Sequence, residues 1–157
     1  MSLICLCFTD IYNEDEMRIY QHRLENIARE HGRGVTFSVN WPEPIVEYLK
    51  GRYMLINLLD EEGCDNCQKL LAPEEGGYGA YTNNIALKQR MKFLQDIADA
   101  LLDGKHKAEF YIGLSGTNPD DFLEVVVNQK DLIEYLTSKI GWDGIENEGD
   151  FHIIVTP

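Results

Sequence analysis

Leu3-Ile-Cys-Leu-Cys-Phe8 is an unbroken apolar run near the start of the chain, and it constrains everything that follows. It is far too short to cross a bilayer, which takes about 20 apolar residues. It also lacks the length and basic flank of a signal peptide. A run of this kind reads as a buried strand, with Cys5 and Cys7 on one face because strand side chains alternate. The period then changes. Asn13, with Glu16 three residues later, makes a capping-box-like helix start. Met17, Tyr20, Leu24, Ile27 and His31 recur at helical spacing as one apolar stripe, and Gly32 and Gly34 end it.

The alternation of strand and helix continues down the chain. Val35–Val39 alternates as a second strand, Trp41-Pro-Glu-Pro44 opens a short helix to Lys50, and Arg52–Leu59 is a third strand. That third strand is apolar enough to be covered on both faces, which suits a central position with parallel neighbours. A helical turn at Gln68–Ala72 and a glycine-rich loop at Pro73–Gly79 precede the strongest helix, Ile85–Asp103. Asn84 caps it, Gly104 stops it, and Leu87, Met91, Leu94, Ala98 and Leu101 form its seam. Ala108–Leu114 and Phe122–Val127 read as strands whose connecting turn permits antiparallel pairing. A helix over Gln129–Ile140, with Leu132, Ile133, Leu136 and Ile140 buried, and a last strand over Phe151–Val155 complete the pattern. The expected architecture is α/β (α+β): a mixed sheet of about six strands with helices packed on it, as one domain over residues 1–157. Strand order stays open.

Charge narrows the possible partners. Twenty-seven acids stand against fourteen bases, a formal charge of −13 on 157 residues. Residues 101–157 hold eleven of the acids and four of the bases. A field of that sign repels nucleic acid and anionic lipid and speeds encounter with a basic protein. With neither leader nor membrane span expected, the chain reads as cytoplasmic, where its four cysteines are reduced unless they bind metal or turn over as a redox pair.

Most of the reactive residue types fall into no catalytic pattern. His22, His31, His106 and His152 form no HExxH or HxH pair, and His152 alternates with Phe151 and Ile153 so as to face away from the core. Ser115 lies in Gly-Leu-Ser-Gly-Thr, which lacks the last glycine of a nucleophile elbow. Gly76-Gly-Tyr-Gly79 follows Glu74-Glu75 and lacks the lysine of a phosphate loop. No cofactor is expected. Cys5 and Cys7 together with Cys64 and Cys67 would supply four thiolates for a structural zinc, though a pair within a buried strand ordinarily packs as small hydrophobes.

Cys64-Asp65-Asn66-Cys67 follows an apolar strand and opens a short helix, where the helix N-terminus lowers a thiol pKa. With Leu70-Leu71-Ala72-Pro73 behind it, this stretch of roughly twenty residues resembles the thioredoxin superfamily. The resemblance implies thiol–disulfide exchange with Cys64 as nucleophile and Cys67 as resolving thiol. The pattern departs from that family in following three strands and in placing Pro119 two aspartates ahead of the next strand.

The segment Trp142–Asp150 points to a different chemistry. Asp143, Glu146, Glu148 and Asp150 occur without an intervening base, next to a large aromatic, and Tyr78 within the glycine loop and Tyr81 just beyond it are further anchors. Aromatic anchors within an acidic patch suit the docking of a lysine- and arginine-rich protein. In size, acidity and single-domain organisation the chain is similar in kind to bacterial immunity proteins of polymorphic and contact-dependent toxin systems. That resemblance of type implies a basic, nuclease-like toxin as partner and carries over no particular residue. The binding module is the leading expectation and the thiol–disulfide enzyme the alternative.

Overall fold

The computed structural model describes residues 3–37, 56–58, 84–114, 118–139 and 150–157. The expected helix at 41–50, most of the third strand, the turn at 68–72 and the loop at 142–149 lie outside these residues. Three α-helices and a mixed sheet make up the described part. The elements are β1 (Leu3–Thr9), α1 (Glu14–Glu30), β2 (Val35–Thr36), β3 (Ile56–Leu58), α2 (Asn84–Leu101), β4 (Ala108–Leu114), β5 (Leu123–Asn128), α3 (Leu132–Lys139) and β6 (Phe151–Thr156). Two 3-10 turns, Pro119–Asp121 and Gln129–Asp131, flank β5.

Strands β1, β4, β6 and β5 form the body of the sheet, and the short β3 and β2 extend it beyond β1 in the order β2-β3-β1-β4-β6-β5. β1 and β4 pair antiparallel along their whole length, from Leu3 opposite Leu114 to Thr9 opposite Ala108. β6 runs antiparallel to β4 and parallel to β5. The hairpin that the 115–120 turn permits between β4 and β5 is not formed, because β6 lies between them. A helix follows β5, and a helical crossover returns the chain to the same end of the sheet, so the next strand must run parallel. β6, buried at Phe151, Ile153 and Val155, takes the interior slot. β5, mostly exposed, is left outside. β3 also departs from expectation, since both its neighbours are antiparallel. Two-sided burial requires only that both faces be covered, which antiparallel neighbours allow equally.

Local chemistry explains the helix ends. The Asn13 side chain accepts a hydrogen bond from the Glu16 amide at 2.8 Å, and Glu14, Asp15 and Glu16 in the first turn complement the positive end of the helix. At the other end Gly32 takes φ +66°, the left-handed conformation that side chains disfavour. The Arg33 amide then reaches the Ala28 carbonyl at 2.8 Å and the Gly32 amide reaches Arg29 at 3.1 Å, the double bond pattern of a Schellman cap.

One face of the sheet carries the main core. Cys5 and Cys7 of β1, Phe110 and Ile112 of β4, and Phe151, Ile153 and Val155 of β6 belong to it. Tyr20, Leu24 and Ala28 of α1, Met91, Leu94, Ala98 and Leu101 of α2, and Leu132 and Leu136 of α3 complete it. Of the expected α1 seam Tyr20 and Leu24 are buried, Met17 and Ile27 pack half-buried against the core and His31 is half-buried. Of the α2 seam Met91, Leu94, Ala98 and Leu101 are buried, and the Leu87 side chain lies outside the described residues. Ile133 is only half-buried, because α3 begins at Leu132 after a 3-10 turn that shifts the helical phase. α2 packs between α1 and α3.

Ion pairs join the helices at the rim of this core. Glu16 of α1 pairs with Lys105 beyond α2, and burial, which would lower the lysine pKa, is outweighed by that carboxylate, which raises it. Arg23 meets Asp103 at 3.1 Å. His31, the residue that caps α1, places Nε2 at 2.8 Å from Asp96 of α2, and Lys92 lies 2.6 Å from the same carboxylate. Burial alone would raise the Asp96 pKa, but hydrogen bonds from Lys92 and His31 prevail and hold it below the ordinary carboxylate value. A carboxyl depressed in the folded state contributes stability that is complete above its unfolded pKa of about 3.9. That contribution is lost as pH falls through the lower folded pKa. Asp96→Asn is therefore expected to lower the denaturant midpoint near neutrality and to flatten its decline on acidification, which urea titrations at a series of pH values measure.

Candidate docking surface

The second face of the sheet is closed at one end and open at the other. Leu6 and Phe8 of β1 are fully buried there, and Tyr111 and Glu109 of β4 are buried beside them. His152 of β6 is mostly covered, whereas Glu124 and Val126 of β5 are exposed, Val126 at 63%. Burial thus falls away across the sheet towards β5, and the outer strand presents both a side-chain face and a backbone edge.

A polar cluster underlies the open end. The register sets His152 between Tyr111 on β4 and Glu124 on β5. Its ring stacks on Tyr111 with centroids 4.2 Å apart and planes within 9°. Phe8 stacks on the same tyrosine from β1, and Phe122 meets it edge-on at 5.3 Å. Nε2 of His152 lies 2.8 Å from Glu109, and Nδ1 lies 3.6 Å from Glu124. Lys107 also approaches Glu109, at 3.5 Å. Sequence reading placed His152 away from the main core, as observed, but missed that Glu109 shares this face. The signal was present: Glu109 and His152 are the only ionisable residues within their strands apart from Tyr111, and a charge inside a central strand requires a partner.

Acidic residues surround β5. Residues 118–131 contain Asp120, Asp121, Glu124 and Asp131 against the single base Lys130. All five are exposed, and Leu123 adds an exposed aliphatic side chain. A second acidic groove, lined by Glu30, Asp96, Asp99 and Asp103 with Arg23, runs between α1 and α2. Its carboxylates at 96, 99 and 103 already have protein partners, with Gln95 and Gln129 donating to Asp99 at 2.8 and 2.7 Å. The β5 surface is the better candidate for an external partner because its acids adjoin exposed aliphatic groups.

Of the residues expected at a partner site, Asp150 is described, and it is buried rather than exposed. Its backbone carbonyl accepts from the Leu123 amide at 2.7 Å, and its side chain lies against Gly113. Its neighbours in chain and sheet thus draw it inward, so it does not present a carboxylate to a partner as the acidic-loop reading expected. Trp142, Asp143, Glu146, Glu148, Tyr78 and Tyr81 lie outside the described residues, as do Cys64 and Cys67. Cys5 and Cys7 are fully buried within the apolar core. Among the described residues no cluster of histidine, cysteine and carboxylate side chains has the arrangement of a metal site, and no helix is long and apolar enough to cross a membrane.

Gly113 is required by the close approach of Asp150, not by its backbone angles. A methyl group at 113 would overlap the Asp150 side chain down to its Cβ, which cannot swing away without moving the start of β6. Gly113→Ala is expected to destabilise the protein by about 1–3 kcal/mol, the usual range for overpacking. Asp150→Gly in the same chain should recover part of that loss, and a denaturation double-mutant cycle reads the coupling. Additive effects would show that the two positions do not meet.

Comparison with protein-family models, with curated proteins and with solved structures returned no match for this chain.

Proposed function

We propose that this protein is an acidic binding module that neutralises a basic protein partner, most concretely an immunity-type inhibitor of a nuclease-like bacterial toxin, acting in the cytoplasm. The observation that carries this reading is the concentration of acid around an exposed aliphatic strand, Asp120, Asp121, Glu124 and Asp131 against Lys130 and His152, in a chain whose net charge is −13. A surface of that kind has both parts of a recognition mechanism. Its charge draws a cationic protein in over distances of about 10 Å, the screening length at moderate salt. The aliphatic side chains then supply short-range burial that slows dissociation.

A nuclease is a suitable target on physical grounds. Its substrate site must be cationic to hold phosphates, and an acidic protein competes for the same charges. The sequence at 142–148 adds Trp142, Asp143, Glu146 and Glu148 immediately ahead of the β6 start, and Tyr78 and Tyr81 add two more aromatic groups. In this reading they are the anchors and acids of the same interface.

Capture from a lysate of the native source at low salt, followed by a salt gradient, tests the proposal. The expected result is one basic protein released at raised salt, whose nuclease or toxic activity the purified chain suppresses in proportion to added protein. A captured protein that shows no inhibition, or no capture at all, would sink it. Within the complex, Trp142→Ala should speed dissociation about tenfold or more, equivalent to about 1.4 kcal/mol. Glu146→Gln and Glu148→Gln should mainly slow association and reduce its salt dependence.

A further inference from the structure

Among the described residues, strand β5 is a sheet edge without proline, lysine or a bulge. Among the described residues β6 is its one neighbour in the sheet. The Leu123 amide donates to the Asp150 carbonyl, and β5 and β6 pair one to one from Leu123 opposite Phe151 to Asn128 opposite Thr156. The backbone groups of Leu123, Val125 and Val127 therefore face β6, and strand alternation turns those of Glu124 and Val126 to the outer edge. Edge strands are ordinarily guarded by proline, lysine, a bulge or a cover. Leu-Glu-Val-Val-Val-Asn contains no proline or lysine and no bulge, and Leu123 and Val126 are 49% and 63% exposed. β-Branched residues at 125, 126 and 127 also favour extended pairing.

Charge selects the occupant. A second copy would bring another −13 against Asp120, Asp121, Glu124 and Asp131, so pairing of β5 with itself is opposed. An extended segment bearing lysine or arginine meets the same strand with opposite sign.

We propose that β5 receives an extended, basic segment of the partner protein as an added strand. The partner's main chain bonds to the outward N–H and C=O groups of Glu124 and Val126. One of its aliphatic side chains covers Val126, and its cations lie over Glu124 and the Asp120–Asp121 turn. This inference rests on the basic-partner reading above and specifies how the contact is made.

The test uses the full isotopically labelled chain with a capped Lys-Thr-Val-Thr repeat peptide as the probe, whose lysine and valine alternate along one strand face as Glu124 and Val126 do. The control is the same peptide N-methylated at every residue, which keeps the charge and removes the backbone donors. The expected result is binding of the first peptide, with amide exchange at Glu124 and Val126 slowed about tenfold and affinity for the methylated peptide weaker by at least about tenfold. Glu124→Lys should weaken binding of the Lys-Thr-Val-Thr peptide and admit a Glu-Thr-Val-Thr peptide. Val126→Thr, which retains a β-branched side chain, should weaken it while leaving the circular dichroism spectrum unchanged. Equal binding of both cationic peptides without protection at 124 and 126 would overturn strand addition and leave charge-driven binding of a basic protein intact. Absence of peptide binding would also overturn strand addition, whereas the basic-partner reading falls only if capture and inhibition fail.

Discussion

The pairing of β1 with β4 holds the described structure together. It joins the first strand of the chain to one that begins about a hundred residues later, and it does so over the full length of both. Each side of this ladder then becomes a face on which other elements pack. On one side Cys5, Cys7, Phe110 and Ile112 receive the helices. On the other, Leu6, Phe8 and Tyr111 make a second buried layer that runs into Glu109 and His152. Because the closing contact is so distant in sequence, most of the chain-ordering entropy is lost before it forms, and the slow step of folding is expected to include it.

The polar pair in the second layer acts on register more than on stability. A buried hydrogen-bonded polar pair gains little over apolar side chains of similar size, because desolvation offsets much of its attraction. Its placement matters for another reason. A slip of one residue between β4 and β6 would turn one of Glu109 and His152 into the layer now occupied by Phe110 and Phe151, against the helices. That alternative leaves a charge among apolar groups, so it is excluded by several kcal/mol on the usual scale of burial penalties. The acids of the helical rim act comparably: Glu16, Asp96 and Asp103 each reach a base on another element and so tie α1 to the α2 region. A large net negative charge is tolerated in part because these acids are compensated locally, while those around β5 outnumber the nearby bases, Lys130 and His152.

Local signals were legible in the sequence, and long-range ones were not. Asn13 and Gly32 marked the ends of α1, and the spacing of Met91, Leu94, Ala98 and Leu101 identified the buried side of α2, because each of these depends on residues within one or two turns. Strand positions followed from composition in the same way. Strand order did not, since the turn before β5 is compatible with a hairpin, and only the burial of β6 between β4 and β5 decides against it. Asp150 shows the same limit at a single side chain. Its sequence neighbours are acidic and suggest an exposed patch, but the β5 amide and Gly113 that surround it come from other parts of the chain. Glu109 was overlooked because its partner is 43 residues away, although an acid within an apolar strand already implied one.

The edge at β5 follows from the same topology. A helical crossover makes β6 parallel to β5 and inserts it beside β4, which leaves the less apolar of the two strands outside. Exposed Val126 would ordinarily make such an edge adhesive towards any extended chain, including another copy. The acids at 120, 121, 124 and 131 change that outcome without adding proline or a bulge: they disfavour copies of the same sign and favour a cationic segment. Protection against self-association and selection of a partner are then the work of the same four carboxylates. Under the proposal made above, neutralising them weakens recognition of a basic partner and, at the same time, removes the main barrier to pairing between copies.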